Sequence, residues 1–296
     1  MTIRLAASSG FCFGVRRAIQ MALSAAEGKN NDVYTIGELI HNPQFVQELT
    51  EKGIKICNDV SSLRDSTVII RSHGITRQEL ETLIANRNRI IDATCPYVSR
   101  THEFIKNAID ENYDVIILGD KNHPEVIGML SYGNSSTKVV APGEIPKDFN
   151  KKRLCLISQT TQKIEDLNNL VCEILPQLIE LKIFNTICLA TTQRQIASAK
   201  LAKHSDLMIV IGGKQSSNTK MLASMCSKYC QTVHIETEDE LTEELFLGKQ
   251  YIGITAGAST PESRIVKVYN KVLKINGEED LVTSIQSIPL FKEESC

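Results

Sequence analysis

Three of the nine cysteines occur in the same local setting, which makes them candidate metal ligands. Each follows a short, partly apolar run and comes directly before a stretch with helical periodicity. They stand in SSGFCFGVRRAI (Cys12), IIDATCPYVSRTHEFI (Cys95) and FNTICLATTQRQIASA (Cys188). This recurrence indicates an internal repeat in which each copy of a small domain supplies one thiolate.

Three thiolates that converge on one point could hold either of two metal centres. Thiolates select zinc or iron–sulfur clusters. Zinc would ordinarily take a fourth protein ligand, whereas a four-iron cluster held by three cysteines leaves one iron open to substrate. The alternative for a cysteine is a small buried hydrophobe, which we expect for Cys57, Cys155, Cys172, Cys226, Cys230 and Cys296.

Two polar turns follow each of these three cysteines, and both are rich in anion-binding groups. The first turns, GELIHNP, GDKNHPE and GGKQSSNT, carry His41, His123, Ser216, Ser217 and Asn218. The second turns, RSHGIT, ISQTTQ and ITAGASTP, carry His73, Thr160 and Ser259. A helix that begins at such a turn offers free backbone N–H groups to phosphate oxygens. Each histidine alone is better explained as a capping or packing residue, but the whole set predicts a pocket for a diphosphate.

Glu125 is the candidate proton donor. It stands two residues after His123, in the first helical turn after Pro124. A carboxyl group in an enclosed site acts as a general acid when its pKa is suitably raised, although a first-turn glutamate also interacts favourably with the helix dipole. Thr160 can hydrogen bond to a substrate hydroxyl, and its alternative role is to cap the helix that follows.

These side chains require strands and helices that bring them to the edges of sheets. Short β-branched runs alternate with amphipathic stretches, and the run at 115–118 is apolar throughout, as expected where helices cover both faces of a parallel sheet. The sequence predicts three related α/β domains, at 1–95, 96–187 and 188–296, with functional turns at the carboxyl ends of the strands. The polar stretch from Asn276 onward predicts a loosely held tail.

Hydrophobic patterning also gives the extent of most elements. The predicted strands are 33–37, 67–72, 89–93, 114–119, 138–141, 153–158, 207–212, 232–235 and 251–256. The predicted helices are 15–26, 44–52, 77–85, 97–110, 163–175, 192–203, 220–228 and 262–272.

Composition excludes several functional classes. The chain has 296 residues with 33 Lys and Arg against 35 Asp and Glu, and its net charge of −2 argues against a nucleic-acid or anionic-membrane surface. The apolar runs are too short to cross a bilayer, and no secretory signal is visible at the N-terminus. We therefore expect a cytoplasmic protein with reduced thiols and no disulfide framework.

The motifs, in their order along the chain, resemble those of the 4-hydroxy-3-methylbut-2-enyl diphosphate reductase (LytB) family. They are GFCFGVRRAI, HNP, RSHG, DATCPYV, HPEV, SQTT, NTICLATTQRQ, K-x-SSN and GITAGASTP. The resemblance implies three α/β domains with mainly parallel sheets, arranged pseudo-threefold around a central iron–sulfur cluster. It also implies the last step of the non-mevalonate isoprenoid pathway, in which the allylic hydroxyl is removed reductively to give isopentenyl and dimethylallyl diphosphate.

Residue by residue, the resemblance implies a role for each candidate. The ligands of one 4Fe-4S cluster with one open iron would be Cys12, Cys95 and Cys188. Substrate-binding residues, chiefly at the diphosphate, would be His41, His73, His123, Ser216, Ser217, Asn218 and Ser259. Glu125 would protonate the departing oxygen, and Thr160 would assist it beside the substrate hydroxyl.

The resemblance further implies an allylic diphosphate as substrate and a reduced electron-transfer protein of ferredoxin or flavodoxin type as partner. Two positions depart from the family pattern: Phe13 stands where a smaller residue is expected, and Asn122 stands where a glycine is expected. The C-terminal tail is also shorter than in some relatives.

Two rival functions compete with a reductase. One is a zinc hydrolase or lyase built on the three cysteines, and the other is a non-catalytic module that binds a phosphorylated metabolite.

Overall fold

Twelve short strands form three four-stranded parallel sheets in the part of the chain that the computed structural model describes, residues 1–27, 32–40, 42–146 and 153–292. The strands are β1 (Thr2–Leu5), β2 (Val33–Ile36), β3 (Ile54–Cys57), β4 (Thr67–Ile70), β5 (Arg89–Asp92), β6 (Asp114–Leu118), β7 (Thr137–Val140), β8 (Arg153–Ser158), β9 (Glu180–Phe184), β10 (Leu207–Ile211), β11 (Gln231–Ile235) and β12 (Tyr251–Ala256).

All three sheets have the same strand order. The first sheet runs β3-β2-β4-β5, the second runs β7-β6-β8-β9, and the third runs β11-β10-β12-β1. The third sheet is thus completed by the first strand of the chain, which pairs with β12 from Thr2 opposite Tyr251 to Leu5 opposite Ile254. This shared order is the structural form of the repeat that the cysteine motifs predict.

Helices connect the strands, as the crossover between parallel strands requires. Those within the described residues are α1 (Phe13–Ala26), α2 (Pro43–Glu51), α3 (Arg77–Ala85), α4 (Pro96–Asp110), α5 (Pro124–Ser131), α6 (Ile164–Ile174), α7 (Leu189–Ala202), α8 (Ser217–Cys226) and α9 (Glu262–Ile275). Capping residues determine where some of these helices begin. For example, Thr76 and Glu79 form a capping box at the start of α3. In the described part of the chain, none of the helices has the length and apolar character needed to cross a membrane.

The central strands β4, β6 and β10 are buried along their whole length because helices cover both faces of their sheets. In β6, Val115 and Ile117 pack among side chains of α4 and α5, whereas Ile116 and Leu118 face α6 on the other side. Burial of each such side chain stabilises the fold by about 1.5–3 kcal/mol. The continuous apolar runs in the sequence therefore correspond to the middle of the sheets, as predicted.

By its internal contacts the chain divides into two compact units. Unit 1 consists of Met1–Phe13, His41–Phe45 and Leu189–Cys296 and contains the third sheet. Unit 2 consists of Gly14–Ile40 and Val46–Cys188 and contains the first and second sheets. The division into domains at 1–95, 96–187 and 188–296 stays a prediction, and β1 differs from it by joining the third sheet.

The predicted fold class, three parallel α/β sheets, is confirmed, and each predicted strand and helix is present with small shifts at its ends. Sequence patterning misses β1, β3 and β9, which all lie at sheet edges. These three strands are partly exposed and carry the charged side chains Arg4, Lys55 and Lys182, so they lack the apolar run that marks a central strand. The other edge strands, β5, β7 and β11, were predicted.

The prediction of a loosely held tail is wrong for residues 282–291. The Leu5 N–H donates to the Pro289 carbonyl (2.9 Å), and the Phe291 N–H donates to the Leu5 carbonyl (2.9 Å). Ile288 is only 2% exposed and belongs to the core of the third sheet. The tail is anchored by single apolar side chains and backbone bonds at the edge of β1, which leave no periodic pattern in the sequence.

Candidate functional site

Cys12, Cys95 and Cys188 occupy the same position in the three sheets. Each is half-buried and lies between an edge strand and the helix that follows: β1 and α1, β5 and α4, β9 and α7. The backbone N–H of each cysteine donates to a carbonyl in the turn after the neighbouring strand. In the same order, the acceptors are Ala258 (3.2 Å), Ser72 (3.0 Å) and Thr160 (2.9 Å).

This position suits a thiolate ligand. Free N–H groups and the dipole at a helix N-terminus stabilise a thiolate, which is the form that binds metals. Three sulfur donors at helix starts therefore fit the chemistry of an iron–sulfur cluster. Cys12 belongs to unit 1, whereas Cys95 and Cys188 belong to unit 2. Within either unit, the described residues include no group of three or more His, Cys, Asp or Glu side chains that could hold a metal ion.

The N-terminus of α8 presents a buried amide that suits a ligand. Ser216 caps the helix, since its Oγ accepts from the Thr219 N–H (3.3 Å). Asn218 is 5% exposed, and neither its Nδ2 nor its Oδ1 has a hydrogen-bond partner in the described part of the chain. A buried polar atom without a partner costs about 1–3 kcal/mol. An anion whose oxygens accept from this amide would remove part of that cost.

The turn that carries Ser259 lies directly against the start of α8. A Cβ at Gly257 would collide with Oγ1 of Thr219 and would lie 3.6 Å from Nδ2 of Asn218. Glycine is therefore needed for the close approach of the two segments. The structure thus places Ser216, Ser217 and Asn218 at the start of α8 and brings Gly257, two residues before the half-buried Ser259, against this helix start within unit 1.

Sequence reasoning missed Asn42, which ties the start of α2 to the turn that carries Ser259. Its Oδ1 accepts from the Phe45 N–H (3.0 Å) at the start of α2, and its Nδ2 donates to the Ser259 carbonyl (3.2 Å). An asparagine directly before a proline is a helix N-cap signal that could have identified it. His41, the predicted substrate residue beside it, lies outside the described residues.

His73 and His123 come together in unit 2. Their rings are nearly perpendicular, with centroids 5.4 Å apart. His123 caps α5, because its Nδ1 accepts from the Glu125 N–H (3.2 Å). This bond places the ring proton of the neutral imidazole on Nε2, which makes that atom a donor. The capping role is therefore present, and it leaves His123 able to donate a hydrogen bond from its other nitrogen.

Glu125 and Thr160 form a buried pair. The Thr160 N–H donates to Oε1 of Glu125 (2.7 Å), and the Thr160 hydroxyl donates to Oε2 (2.9 Å). Glu125 is 1% exposed, and burial raises its pKa to about 7 although both hydrogen bonds act to lower it. A carboxyl group with this pKa can hold and release a proton near neutral pH.

Thr160 also connects Glu125 to one of the cysteines. Its carbonyl accepts the Cys188 N–H, so a single residue contacts both the candidate acid and the segment of a candidate metal ligand. The alternative role of Thr160 as a helix cap is wrong, because α6 begins at Ile164 and Lys163 occupies the cap position.

Other histidines and cysteines have surroundings that fit structural roles. His102 stacks on Tyr132 (4.3 Å between centroids), and burial lowers its pKa to about 4. Burial raises the pKa values of Cys155 and Cys226 to about 12, which makes these thiols unreactive. The expectation of a buried hydrophobe is wrong for Cys172, which is exposed. Cys296 lies outside the described residues.

Comparison with known proteins identifies relatives over almost the whole chain. A sequence model of the family described as LytB protein matches residues 3–273. The 4-hydroxy-3-methylbut-2-enyl diphosphate reductase of Geobacter sulfurreducens is 44% identical over 281 residues, covering 94% of this chain and 99% of that protein. The enzyme of the same name from Campylobacter hominis is 46% identical over 276 residues, covering 92% of this chain and 98% of its own.

Two solved structures are also similar. One, described as (E)-4-hydroxy-3-methyl-but-2-enyl diphosphate reductase, the terminal enzyme of the non-mevalonate pathway, aligns with a TM-score of 0.69 and 41% identity over 93% of this chain and 100% of its own. The other is the E-1-hydroxy-2-methyl-but-2-enyl-4-diphosphate reductase from Plasmodium falciparum, with a TM-score of 0.87 and 29% identity over 98% of this chain and 94% of its own.

Proposed function

The chain belongs to the LytB protein family, and we propose that it reduces 4-hydroxy-3-methylbut-2-enyl diphosphate in the terminal step of the non-mevalonate pathway. The reaction removes the allylic hydroxyl group and gives isopentenyl and dimethylallyl diphosphate. It consumes two electrons and two protons. One proton leaves with the hydroxyl group as water, and the other is added to the carbon skeleton.

The observation that carries the proposal is a series of hydrogen bonds that runs from Glu125 through Thr160 to Cys188. It joins a buried carboxyl group with a pKa of about 7 to the backbone of a cysteine at a helix start. A reductase that removes a hydroxyl group needs a proton donor beside its redox centre. A non-catalytic binding module gives no reason for this connection, and the metal that copurifies separates the reductase from a zinc hydrolase.

We assign Cys12, Cys95 and Cys188 as the ligands of one 4Fe-4S cluster with one open iron. Their equivalent positions at helix starts, in three sheets of identical strand order, support this assignment. When bound, such a cluster supplies electrons and a Lewis-acidic iron. A reduced electron-transfer protein of ferredoxin or flavodoxin type would deliver the electrons, and thiols that must stay reduced suit a cytoplasmic location.

The diphosphate is assigned to the polar turns. Ser216, Ser217, Asn218 and Ser259 would bind its oxygens in unit 1, and His41, His73 and His123 are assigned to the same substrate. The unpartnered amide of Asn218 at the start of α8 supports this assignment for an anion. Binding of a group that does not react holds the carbon skeleton in place while the hydroxyl group departs.

Glu125 would donate the proton to the departing hydroxyl group. Burial raises its pKa to about 7, so near neutral pH it can both give up a proton and recover one. The two hydrogen bonds from Thr160 fix the carboxyl group in one orientation. The Thr160 hydroxyl is then placed to exchange this bond for one with the substrate hydroxyl.

The proposal is tested on protein prepared without oxygen. We expect iron and sulfide to copurify, and we expect turnover of the allylic diphosphate with a chemical reductant. Zinc in place of iron would support the hydrolase or lyase instead, and ligand binding without any metal would support the non-catalytic module.

Glu125→Gln tests the proton role separately. We expect kcat to fall by about 10²–10⁴-fold because the amide cannot donate the proton that the carboxyl group supplies. Substrate affinity should change little. Glu165→Gln is the matched control, since Glu165 is an exposed glutamate in the first turn of α6. Near-normal turnover by the Glu125 variant would rule out this role.

A further inference from the structure

Two arginines connect the helix after one cysteine to the loop before another. Arg17 lies on α1, five residues after Cys12, and its guanidinium contacts the loop that leads to Cys95. Its Nη1 donates to the Thr94 carbonyl (3.1 Å) and its Nη2 donates to the Asp92 carbonyl (3.4 Å). The guanidinium therefore holds both the last residue of β5 and the residue directly before Cys95.

Arg194 makes the corresponding contact in unit 1. It lies on α7, six residues after Cys188, and is only 3% exposed. Its Nη2 donates to the carbonyl of Gly10 (2.7 Å), two residues before Cys12. Gly10 has a φ of 91°, a conformation in which the loop needs glycine, so this bond holds an otherwise adaptable segment.

We propose that Arg17 and Arg194 are positioning residues for the cluster ligands Cys95 and Cys12, an inference that rests on the proposed function. Each acts through the backbone of the loop that carries the cysteine. A guanidinium suits this role because its planar fork can hold two carbonyls at once. Residues that orient metal ligands through hydrogen bonds typically change metal affinity by about 10–100-fold when they are replaced.

The permanent charge of the two arginines gives them a second effect. Three thiolates and the cluster carry net negative charge, which increases when an electron is added. A fixed cation near the ligands stabilises the reduced state more than the oxidised state. The two arginines therefore favour reduction of the cluster, in addition to holding its ligands.

Arg100 provides the matched control. It lies on α4, five residues after Cys95, as Arg17 lies five residues after Cys12. Its side chain is exposed, and its guanidinium lies over the ring of Phe104 at 5.2 Å from the centroid. Arg100→Gln removes the same charge from the same place in the repeat without removing a bond to a cysteine loop.

The experiment uses the full chain, loaded anaerobically, with Arg17→Gln, Arg17→Lys, Arg194→Gln, Arg194→Lys and Arg100→Gln. The midpoint potential of the cluster and its rate of loss to an iron chelator are measured. For the two glutamine variants at Arg17 and Arg194 we expect 10–100-fold faster cluster loss. We also expect the equilibrium constant for one-electron reduction to fall about tenfold, which is a shift of about 59 mV.

The lysine variants separate charge from positioning and allow for poor folding of a glutamine variant. They keep the charge but lose the fork, so we expect nearly unchanged potentials with faster cluster loss. If the arginines had a purely structural role, the midpoint potential of the cluster and its rate of loss would be unchanged in every variant that folds. This result would overturn the present inference but not the proposed function. An unaltered chain without iron and sulfide would overturn the proposed function and this inference together.

Discussion

At the scale of single residues, the environment of Glu125 explains how a carboxyl group can serve as an acid at neutral pH. Burial raises its pKa, and the two hydrogen bonds from Thr160 lower it by stabilising the charged form. Desolvation is the larger effect. The result is a carboxyl group that is neutral at mildly acidic pH and charged at basic pH, with its midpoint at about 7.

This pKa predicts a pH-dependent stability. The folded-state value of about 7 exceeds the ordinary value of 4.5, so the folded state binds the proton more tightly than the unfolded state. Its contribution to stability is present below pH 4.5 and is lost as pH rises through 7. We expect a loss of about 3 kcal/mol over this window relative to Glu125→Gln, measured by urea unfolding. A constant difference between the two proteins from pH 5 to 8 would contradict the assigned pKa.

Replacing Thr160 with valine should raise the pKa of Glu125, whereas exposing Glu125 to water would lower it. Removing the hydroxyl group removes a bond that lowers the pKa of Glu125, so we expect the pH midpoint of kcat to rise by about one unit. We also expect kcat itself to decrease, because the proposed hydrogen bond of Thr160 to the substrate hydroxyl is lost. Thr160→Ser keeps the hydroxyl group and serves as the control. A pH profile that is the same in all three proteins would show that the hydroxyl group does not act on Glu125.

At the scale of secondary-structure elements, the close approach of the Ser259 turn to α8 predicts a cost for any side chain at position 257. A Cβ added there meets Oγ1 of Thr219, and once that atom is removed the nearest contact is Cβ of Thr219 at 3.4 Å. We expect Gly257→Ala to cost about 1–3 kcal/mol in the free energy of unfolding and to raise KM. In a Thr219→Ala background its cost should fall below about 1 kcal/mol. Additive effects of the two substitutions, measured by urea unfolding, would refute this explanation.

The C-terminal segment beside β1 predicts a difference between two neighbouring side chains. Ile288 is 2% exposed and Leu290 is 50% exposed. We expect Ile288→Ala to lower the free energy of unfolding by about 2–5 kcal/mol. Leu290→Ala, the control, should cost less than about 1 kcal/mol because most of its surface stays in water. Equal costs for both variants in chemical denaturation would mean that the segment is not packed as described.

Elements were predictable from sequence where burial is uniform. Helix-covered central strands such as β6 and β10 leave continuous apolar runs, and amphipathic helices leave a clear periodicity. The three edge strands that the pattern misses, β1, β3 and β9, and the C-terminal segment depend on backbone bonds to distant partners, and such bonds leave no composition signal. The pairing of β1 with β12 and the bond from Phe291 to Leu5 are examples.

Residues of the candidate site were predictable to a similar extent. Glu125, Thr160 and the cysteines belong to turns with recurring chemistry, so their types and order were informative. Asn42, Arg17 and Arg194 act on carbonyl groups far away in sequence. Any carbonyl can accept such a bond whatever its side chain, and only the folded chain shows which one does.

At the scale of the whole molecule, the repeat distinguishes Cys12, Cys95 and Cys188, one at the same position in each sheet, from the other six cysteines. We expect Cys95→Ser to abolish most of the copurifying iron, because serine is a poor substitute for a thiolate ligand. Cys172→Ser should retain the iron of the unaltered chain, since this exposed cysteine lies on α6 away from the strand-to-helix junctions. Iron and sulfide analysis of anaerobic protein distinguishes the two. Equal iron in both variants would exclude Cys95 as a ligand.

The position of β1 in the third sheet also has a consequence for the time at which the protein matures. Thr2 leaves the ribosome long before Tyr251, its partner in the sheet. At a synthesis rate of about 5–20 residues per second, the delay is about 12–50 s. Throughout this time the loop of Cys12 lacks the Ala258 carbonyl that fixes it. We therefore expect a cluster bound through Cys12 to be inserted only after translation has passed β12.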